Sequence, residues 1–403
     1  MNEITLPEHW KILPFTDCLK KVKAKRKSSI PKRDYQESGE FPVIDQGASF
    51  IAGWTNSVES IISDNLPLVI FGDHTRIFKY VDFPFALGAD GTKLLYANDD
   101  ILNPHFFYYA LLNLKVPNKG YNRHYRYLQE FSVVCPPLPE QRAIAHILQT
   151  IQEAKFTRQR ELALARERKA ALMDVLFSYG TKGEPRKETE IGEIPESWEV
   201  VRFGNATTLT KKPRDLRYSE YNEIPFIPME LIPIAKLFSQ EFILKTNDEL
   251  KSGTYFEPGD ILLSKITPSF ENGKQCIFKQ LPTPFGIATT EVIPIREVEG
   301  ISDISYLFYY LLLPNVRTSL AGKMQGTTGR QRLSKDALVN LQIPLPPLPE
   351  QRAIATVFQA IDTKIAALEQ EAQHLDELFH AMLEELMTGQ RSAVPLIDTE
   401  MDG

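Results

Sequence analysis

The sequence predicts an α+β protein in which two similar β-rich domains are separated by two long helices forming an antiparallel coiled coil, the whole built as an internal pseudo-two-fold repeat. Three observations predict it. Pro136 to Ala145, Pro-Pro-Leu-Pro-Glu-Gln-Arg-Ala-Ile-Ala, returns residue for residue at Pro346 to Ala355, and a repeat of that fidelity fixes the architecture before single residues are interpreted. The offset of 210 then continues without a gap, matching Ile144 to Ile354 and Leu172 to Met382, so the two helices are equally long. Residues 6–18, which contain Trp10, are echoed at 194–206 around Trp198, so the repeat includes the domain before each helix.

Taken in order, the elements are a first domain at 1–138, a helix at 139–178, a linker at 179–193, a second domain at 194–348, a helix at 349–389 and a tail at 390–403. Trp10 and Trp198 open their domains as core anchors, because a buried indole contributes a large apolar area. Short apolar runs bounded by Gly, Pro, Asn or Asp, at 41–44, 68–71, 224–227, 260–263 and 291–295, predict strands. One amphipathic helix per domain is expected at 104–114 and 305–313, with Phe107-Tyr108-Tyr109 and Phe308-Tyr309-Tyr310 facing the core. Pro139 and Pro349 suit a first helical turn, where no N–H partner is needed.

In the second long helix Ile354, Phe358, Ile361, Ile365, Leu368, Ala372, Leu375, Phe379, Met382 and Leu386 alternate by four and three, a coiled-coil seam. The first helix carries Lys155, Arg158 and Lys169 at the matching positions, where long stems can snorkel with wet heads. An antiparallel register in which paired positions sum to 530 brings Asp376, Glu371 and Asp362 within reach of these three cations. Basic and acidic helices then select each other.

Composition bounds the function. The chain of 403 residues is long enough for two or three domains. Its three cysteines fit a reducing compartment better than a disulfide framework or a zinc site. The opening residues lack a leader's basic and apolar regions, and no apolar run approaches the ~18 residues of a membrane span. A cytoplasmic protein with no membrane association is expected. The net charge of -6 is local: residues 349–403 hold 3 basic and 11 acidic residues, and the rest of the chain is close to neutral, leaving room for basic faces.

No catalytic constellation, cofactor motif or metal spacing is found. The Asn103-Pro104-His105-Phe106 stretch is a helix start, and no phosphate-binding glycine loop occurs. The informative clusters are basic, and they occupy related places in both domains. Lys20, Lys21, Lys23, Lys25, Arg26 and Lys27 follow Trp10, as Lys211, Lys212, Arg214 and Arg217 follow Trp198. Lys119, Tyr121, Asn122, Arg123, His124 and Arg126 precede the first long helix, as Lys323, Arg330, Gln331 and Arg332 precede the second. His74 and Arg76, in Gly72-Asp73-His74-Thr75-Arg76, and Lys265 complete the candidate set. Arg with Asn or Gln is the vocabulary of base readout and Lys that of phosphate contact, so these residues are expected to bind nucleic acid.

The two Pro-Leu-Pro-Glu-Gln-Arg-Ala-Ile-Ala copies, Thr189 to Trp198 leading into the second domain, and Tyr255 to Lys265 closely resemble the specificity (S) subunits of Type I restriction-modification systems. The resemblance covers nearly the whole chain. It implies two target-recognition domains, each reading half of a split double-stranded DNA sequence, and a subunit that is itself not catalytic. It also implies methyltransferase (M) subunits, two of them, docked on the helices, with a restriction (R) subunit left open. At 1.5 Å per residue, about 38 helical residues give a spacer of roughly 57 Å, enough to set two readers on successive turns of a duplex. The competing class is a free-standing DNA-binding regulator with a coiled-coil spacer.

Overall fold

The computed structural model describes residues 6–22, 28–88, 91–120, 122–327 and 329–395. It divides into two units, one formed by Met1–Gln159 with Gln370–Gly403 and the other by Arg160–Glu369. Lys23, Lys25, Arg26, Lys27 and Tyr121, all expected at DNA, lie outside the described residues. No helix among the described residues is long and apolar enough to cross a membrane.

In the first unit, strand Phe41–Ile44 lies between antiparallel Gly53–Thr55 and parallel Phe85–Leu87, with Ile61–Ile62 outermost. A second sheet sets Leu68–Gly72 between Phe78–Val81 and Thr92–Leu95. The second unit repeats this plan. Ile224–Ile227 lies between antiparallel Ile243–Lys245 and parallel Gly286–Ala288, with Thr254–Phe256 outermost. Ile261–Ser264 lies between Gln275–Ile277 and Val292–Glu297, and Thr207–Leu209 is added beyond. Both Leu68–Gly72 and Ile261–Ser264 are buried along their whole length, which is why they read as unbroken apolar runs.

An antiparallel strand pair closes each domain, Lys11–Pro14 on Ser132–Cys135 in one and Glu199–Arg202 on Gln342–Leu345 in the other. Each pair carries its tryptophan to the repeated decapeptide. Trp10 donates from Nε1 to Glu140 Oε2 at 3.1 Å. Trp198 is fully buried, and Glu350 accepts the N–H and hydroxyl of Thr181 at 2.9 and 3.0 Å. Burial pushes the Glu350 carboxyl up, but these bonds and Lys182 outweigh it and the net shift is downward.

The neighbouring glutamines do the same work twice. Gln141 Oε1 accepts from Asn103 N at 2.8 Å while its Nε2 donates to Ile101 O and Pro136 O at 2.9 and 2.8 Å. Gln351 Oε1 accepts from Asp303 N at 2.9 Å while its Nε2 donates to Ile301 O and Pro346 O at 3.0 and 2.8 Å. Each glutamine thereby ties the start of a long helix to the residue that caps the domain's own helix, Pro104–Leu112 or Ile304–Tyr310. Asn103 caps through its side chain to Phe106 N, confirming a helix start at that stretch. Equivalent tyrosines then reach equivalent positions on the long helices, Tyr109 to Gln152 at 3.0 Å and Tyr309 to Asp362 at 2.8 Å.

The long helices are Leu138–Tyr179 and Leu348–Met387. Within the first unit Lys155 pairs with Asp376, and Arg158 Nε with Glu371 Oε2 at 2.7 Å. Within the second, Arg166 pairs with Glu369 at 2.6 Å and Lys169 with Asp362 at 2.5 Å. In each unit the numbers rise on one helix as they fall on the other, so the helices are antiparallel. The three expected acids meet the three seam cations, whose heads are paired and not simply wet. Lys169 keeps only 16% of its side chain exposed and also lies over the Tyr309 ring at 5.4 Å.

The helix ends complete the cores. Phe379, Leu383, Leu386 and Met387 join Trp10, Phe106, Phe107, Tyr109, Ile144 and Leu148 in the first unit. Phe177, with Leu172, Met173 and Leu176 packed alongside, joins Trp198, Tyr306, Tyr310, Ile354 and Phe358 in the second. Each helix thus stabilises a domain at either end, which a solvated amphipathic helix could not do alone.

Gln351→Ala leaves one N–H and two carbonyls unmatched inside the second unit, so it is expected to cost about 1–3 kcal/mol, whereas exposed Arg352→Ala stays within about 0.5 kcal/mol. Denaturation midpoints of the two variants check this. Charge reversal at Lys155 is expected to weaken the helix pair and Asp376→Lys to restore it, with a coupling of at most about 1 kcal/mol because both groups are partly exposed; a double-mutant cycle measures it.

Candidate nucleic-acid interface

Both domains place their candidate loops at the same edge of the second sheet, beyond the last residues of Leu68–Gly72 and Ile261–Ser264. In the first unit Asp73 N donates to Gly91 O at 2.7 Å, and Asp73 O accepts His124 N at 2.8 Å. In the second, Lys265 N donates to Glu291 O at 2.9 Å, and Lys265 O accepts Leu333 N at 2.8 Å. Asp73 matches Lys265, and His124 matches Leu333.

That match corrects one expectation. His124 is completely buried, as Leu333 is nearly so, and its ring is consumed by the fold. Nδ1 lies 2.9 Å from Asp73 O, and Nε2 accepts from Lys119 N at 3.3 Å. His124 is therefore a core residue that shapes the loop and not a DNA contact. Arg76 is half-buried, takes positive φ of 64°, and donates from Nη1 to Val116 O at 3.0 Å, bracing the same loop from its other end. His74 is half-buried, and its N–H donates to Gln46 Oε1 at 3.2 Å.

What the first unit leaves outward is Lys119, Asn122, Arg123 and Arg126. Tyr125 N donates to Asp73 Oδ1 at 2.8 Å, so the short helix Tyr125–Leu128 starts from the same buried acid. Arg126 spreads over the Tyr127 ring at 4.6 Å, and Lys93 lies 5.5 Å from the Tyr125 ring. Lys21 is exposed; Lys20 is exposed but already paired with Asp99 at 2.8 Å.

In the second unit the loop is a hairpin, Gln325–Thr327 on Arg330–Arg332. Gly326 has φ of 135° and Gly329 of 81°, conformations that only glycine adopts readily, and a Cβ on Gly326 would meet Arg330 O at 2.6 Å. Arg330 and Arg332 share a face of the strand and Gln331 takes the other. Arg332 forks onto Glu291, Nη2 to Oε1 at 2.7 Å and Nε to Oε2 at 2.9 Å. The Arg332 hydrogen bond, against burial, holds the Glu291 carboxyl below its ordinary range. Burial pushes the Lys265 amine down, Glu291 opposes, and Lys335 and Arg332 add to the lowering. One acid thus gathers two cations, Arg332 and Lys265, and Lys335 stands near the second of them.

Lys323 is exposed beside this hairpin. Lys211, Lys212, Arg214 and Arg217 are exposed on the segment between Thr207–Leu209 and Ile224–Ile227, with Lys212 over the Tyr218 ring at 3.7 Å. Sequence reasoning missed Asp73, Lys93, Glu291 and Lys335, which stand singly in the chain and acquire a role only through pairings that sheet register creates. Chemically, the two edges offer cations, glycine-permitted close approach and amide groups, the means of contacting phosphates and base edges. Among the described residues, no three His, Cys, Asp or Glu converge as metal ligands would.

Comparison with known proteins gives a consistent set. The sequence profile described as "Type I restriction modification DNA specificity domain" matches residues 7–165 and 195–377. The Type I restriction enzyme MjaVIII specificity subunit of Methanocaldococcus jannaschii is 26% identical over 407 aligned positions, covering 96% of this chain and 94% of that protein. The EcoAI specificity subunit of Escherichia coli is 36% identical over 194 residues, 47% of this chain and 32% of that protein. The crystal structure of a Type-I restriction-modification system S subunit from M. genitalium shares the fold, with a TM-score of 0.63 at 15% identity over 96% of this chain and 97% of that one.

Arg332→Ala is expected to raise the Glu291 pKa toward the ordinary carboxylate value, and Arg330→Ala to leave it in place, read by NMR titration. Because the folded-state pKa is depressed, its contribution to stability is present above the unfolded value and fades as pH falls through about 4. The stability gap between wild type and Arg332→Ala therefore narrows in acid.

Proposed function

The chain belongs to the Type I restriction-modification DNA specificity family, and on that premise we propose that it reads a two-part duplex target, one part with each unit, and presents methyltransferase subunits to it. The observation that carries this reading is the recurrence of a cation-bearing edge, built from different loops, on one repeated frame. Arg123 and Arg126, with Arg330 and Arg332, include the base contacts, since a guanidinium can address the O6 and N7 of guanine together. Lys20, Lys21, Lys119, Lys211, Lys212, Lys265 and Lys323 chiefly meet phosphates, with Arg214 and Arg217 beside them.

Two helix starts of identical sequence, each leaving its arginine exposed (Arg142 and Arg352), support two copies of one partner. The chain supplies address and not chemistry: none of its groups is assigned a bond-making role, and methyl transfer belongs to the subunits it would bring.

Replacing residues 194–348 with the matching segment of a relative is expected to change one part of the recognised sequence and leave the other, read by mapping methylated sites. A change in both parts refutes the modular reading. Arg→Ala at a base contact should cost about 1–3 kcal/mol and relax one position, whereas loss of a phosphate contact weakens all sequences and lowers the salt slope by about one. Binding isotherms at several salt concentrations separate the two, and indifference to all four arginine changes sinks the assignment.

A further inference from the structure

Glu291 stands among the cations of the second unit's edge, where a carboxylate opposes the approach of a polyanion, and the fold is built to keep it there. Its main-chain carbonyl accepts Lys265 N at 2.9 Å, and its side chain is only 23% exposed. The carboxylate takes one whole side of the Arg332 guanidinium: Oε1 accepts from Nη2 at 2.7 Å and Oε2 from Nε at 2.9 Å. A guanidinium is planar with its donors in a rigid fork, so two such bonds fix the plane and the direction of the whole head group. What they leave is the end made by Nη1 and Nη2. Nη1 has no hydrogen-bond partner among the described residues.

The main chain that carries Arg332 is held on both sides. Arg330–Arg332 pairs with Gln325–Thr327 inside the hairpin. On the other side Gln331 O accepts Thr267 N at 3.0 Å, and Leu333 N donates to Lys265 O at 2.8 Å. Backbone and head group are therefore both set before any ligand arrives, and a preorganised side chain loses little freedom on binding. Lys265 draws on the same carboxylate with Lys335 near it, so the group stays cationic in spite of its acid.

The first unit shows the same place without the acid. Asp73 N donates to Gly91 O as Lys265 N donates to Glu291 O, and His124 N donates to Asp73 O as Leu333 N donates to Lys265 O. Gly91 thus stands where Glu291 stands, and Arg123 where Arg332 stands. Arg123 is exposed, and with a glycine at the matching place no carboxylate there can fix its head. Equivalent arginines are held in two different ways on one frame.

We propose that Glu291 is a positioning residue for recognition, holding Arg332 so that its Nη1–Nη2 end meets O6 and N7 of one guanine in the part of the target read by the second unit. This rests on the DNA-reading function proposed above and narrows it to one arginine and one end of its head group. The sign of the charge supplies the signature. Removing an acid from a surface that faces phosphates strengthens binding to every sequence, whereas loosening the arginine weakens binding to the preferred one alone.

The full-length chain, with the subunits that co-purify with it, selects its preferred duplex from a randomised library, and binding is then measured to that duplex, to its single-base-pair variants and to an unrelated duplex. Wild type is compared with Glu291→Ala, Glu291→Gln, Arg332→Ala, Arg123→Ala and the double variant at 291 and 332. Glu291→Ala is expected to lose about tenfold discrimination at one G·C pair, the same pair that Arg332→Ala relaxes, while it binds the unrelated duplex at least as tightly as wild type. Glu291→Gln, which keeps one acceptor, falls between, and the double variant loses no more discrimination than Arg332→Ala alone. Arg123→Ala leaves that pair untouched. If Arg332→Ala relaxes no pair, or Glu291→Ala keeps full discrimination at the pair it relaxes, this inference is overturned and DNA reading stands on the remaining arginines. If Glu291→Ala weakens all duplexes alike, the acid serves the fold and the proposal is wrong; if it relaxes a different pair, the carboxylate is itself a reader and does not position Arg332. If no arginine variant changes selection, the proposed function falls as well.

Discussion

The amide of one glutamine, used twice, is the constraint on which the rest depends. Gln141 and Gln351 are fully buried, and each spends both ends of its amide on three main-chain groups of two different segments. A helix N-terminus leaves donors unmatched, and a loop turning into it leaves carbonyls unmatched. The glutamine answers the loop's need without a charge, so it tolerates burial where a carboxylate or ammonium would not. Because it joins the helix start, the strand before it and the cap of the domain helix, the angle at which a domain meets its helix is fixed by one side chain. The residues beside it follow: Glu140 and Glu350 hold the tryptophan end of the domain, and Ile144 and Ile354 are completely buried.

Much of this was legible because it is repeated or periodic. The decapeptide gave the helix starts, the four-three spacing gave the seam, and a register summing to 530 placed Lys155, Arg158 and Lys169 opposite Leu375, Ala372 and Ile361, each one residue from the acid it meets, since an antiparallel pair obeys simple arithmetic. The strands at 41–44 and 224–227 were legible from turn residues, but their equivalence was not, because the residues between the anchors have diverged while the hydrogen-bonded order has not.

The candidate site was legible in kind and less so in detail. Charge runs show where cations are, not which of them are already satisfied. Lys20 meets Asp99, Arg332 meets Glu291 and Arg76 meets Val116, each through a partner 40 or more residues away. His124 looked like a polar contact because it stands in a basic cluster with Lys119, Arg123 and Arg126. Its complete burial shows it as a core position, as does its match to Leu333, and that match is written in main-chain bonds that no side-chain pattern announces.

Those main-chain bonds also explain how one frame can serve two different readers. Asp73 and Lys265 share nothing chemically, yet each receives the loop that follows through its carbonyl, from His124 N or Leu333 N, and each secures the neighbouring strand through its own N–H. An anchor made of backbone is indifferent to the side chains strung on it. The loop beyond can therefore be a short turn before a helix in one domain and a glycine-hinged hairpin in the other, with the sheet beneath unchanged. Side-chain anchors such as Gln141 and Glu140 are kept for the joints that must be the same in both copies. Main-chain anchors are placed where the residues must be free to differ, and it is at those places that the exposed cations gather.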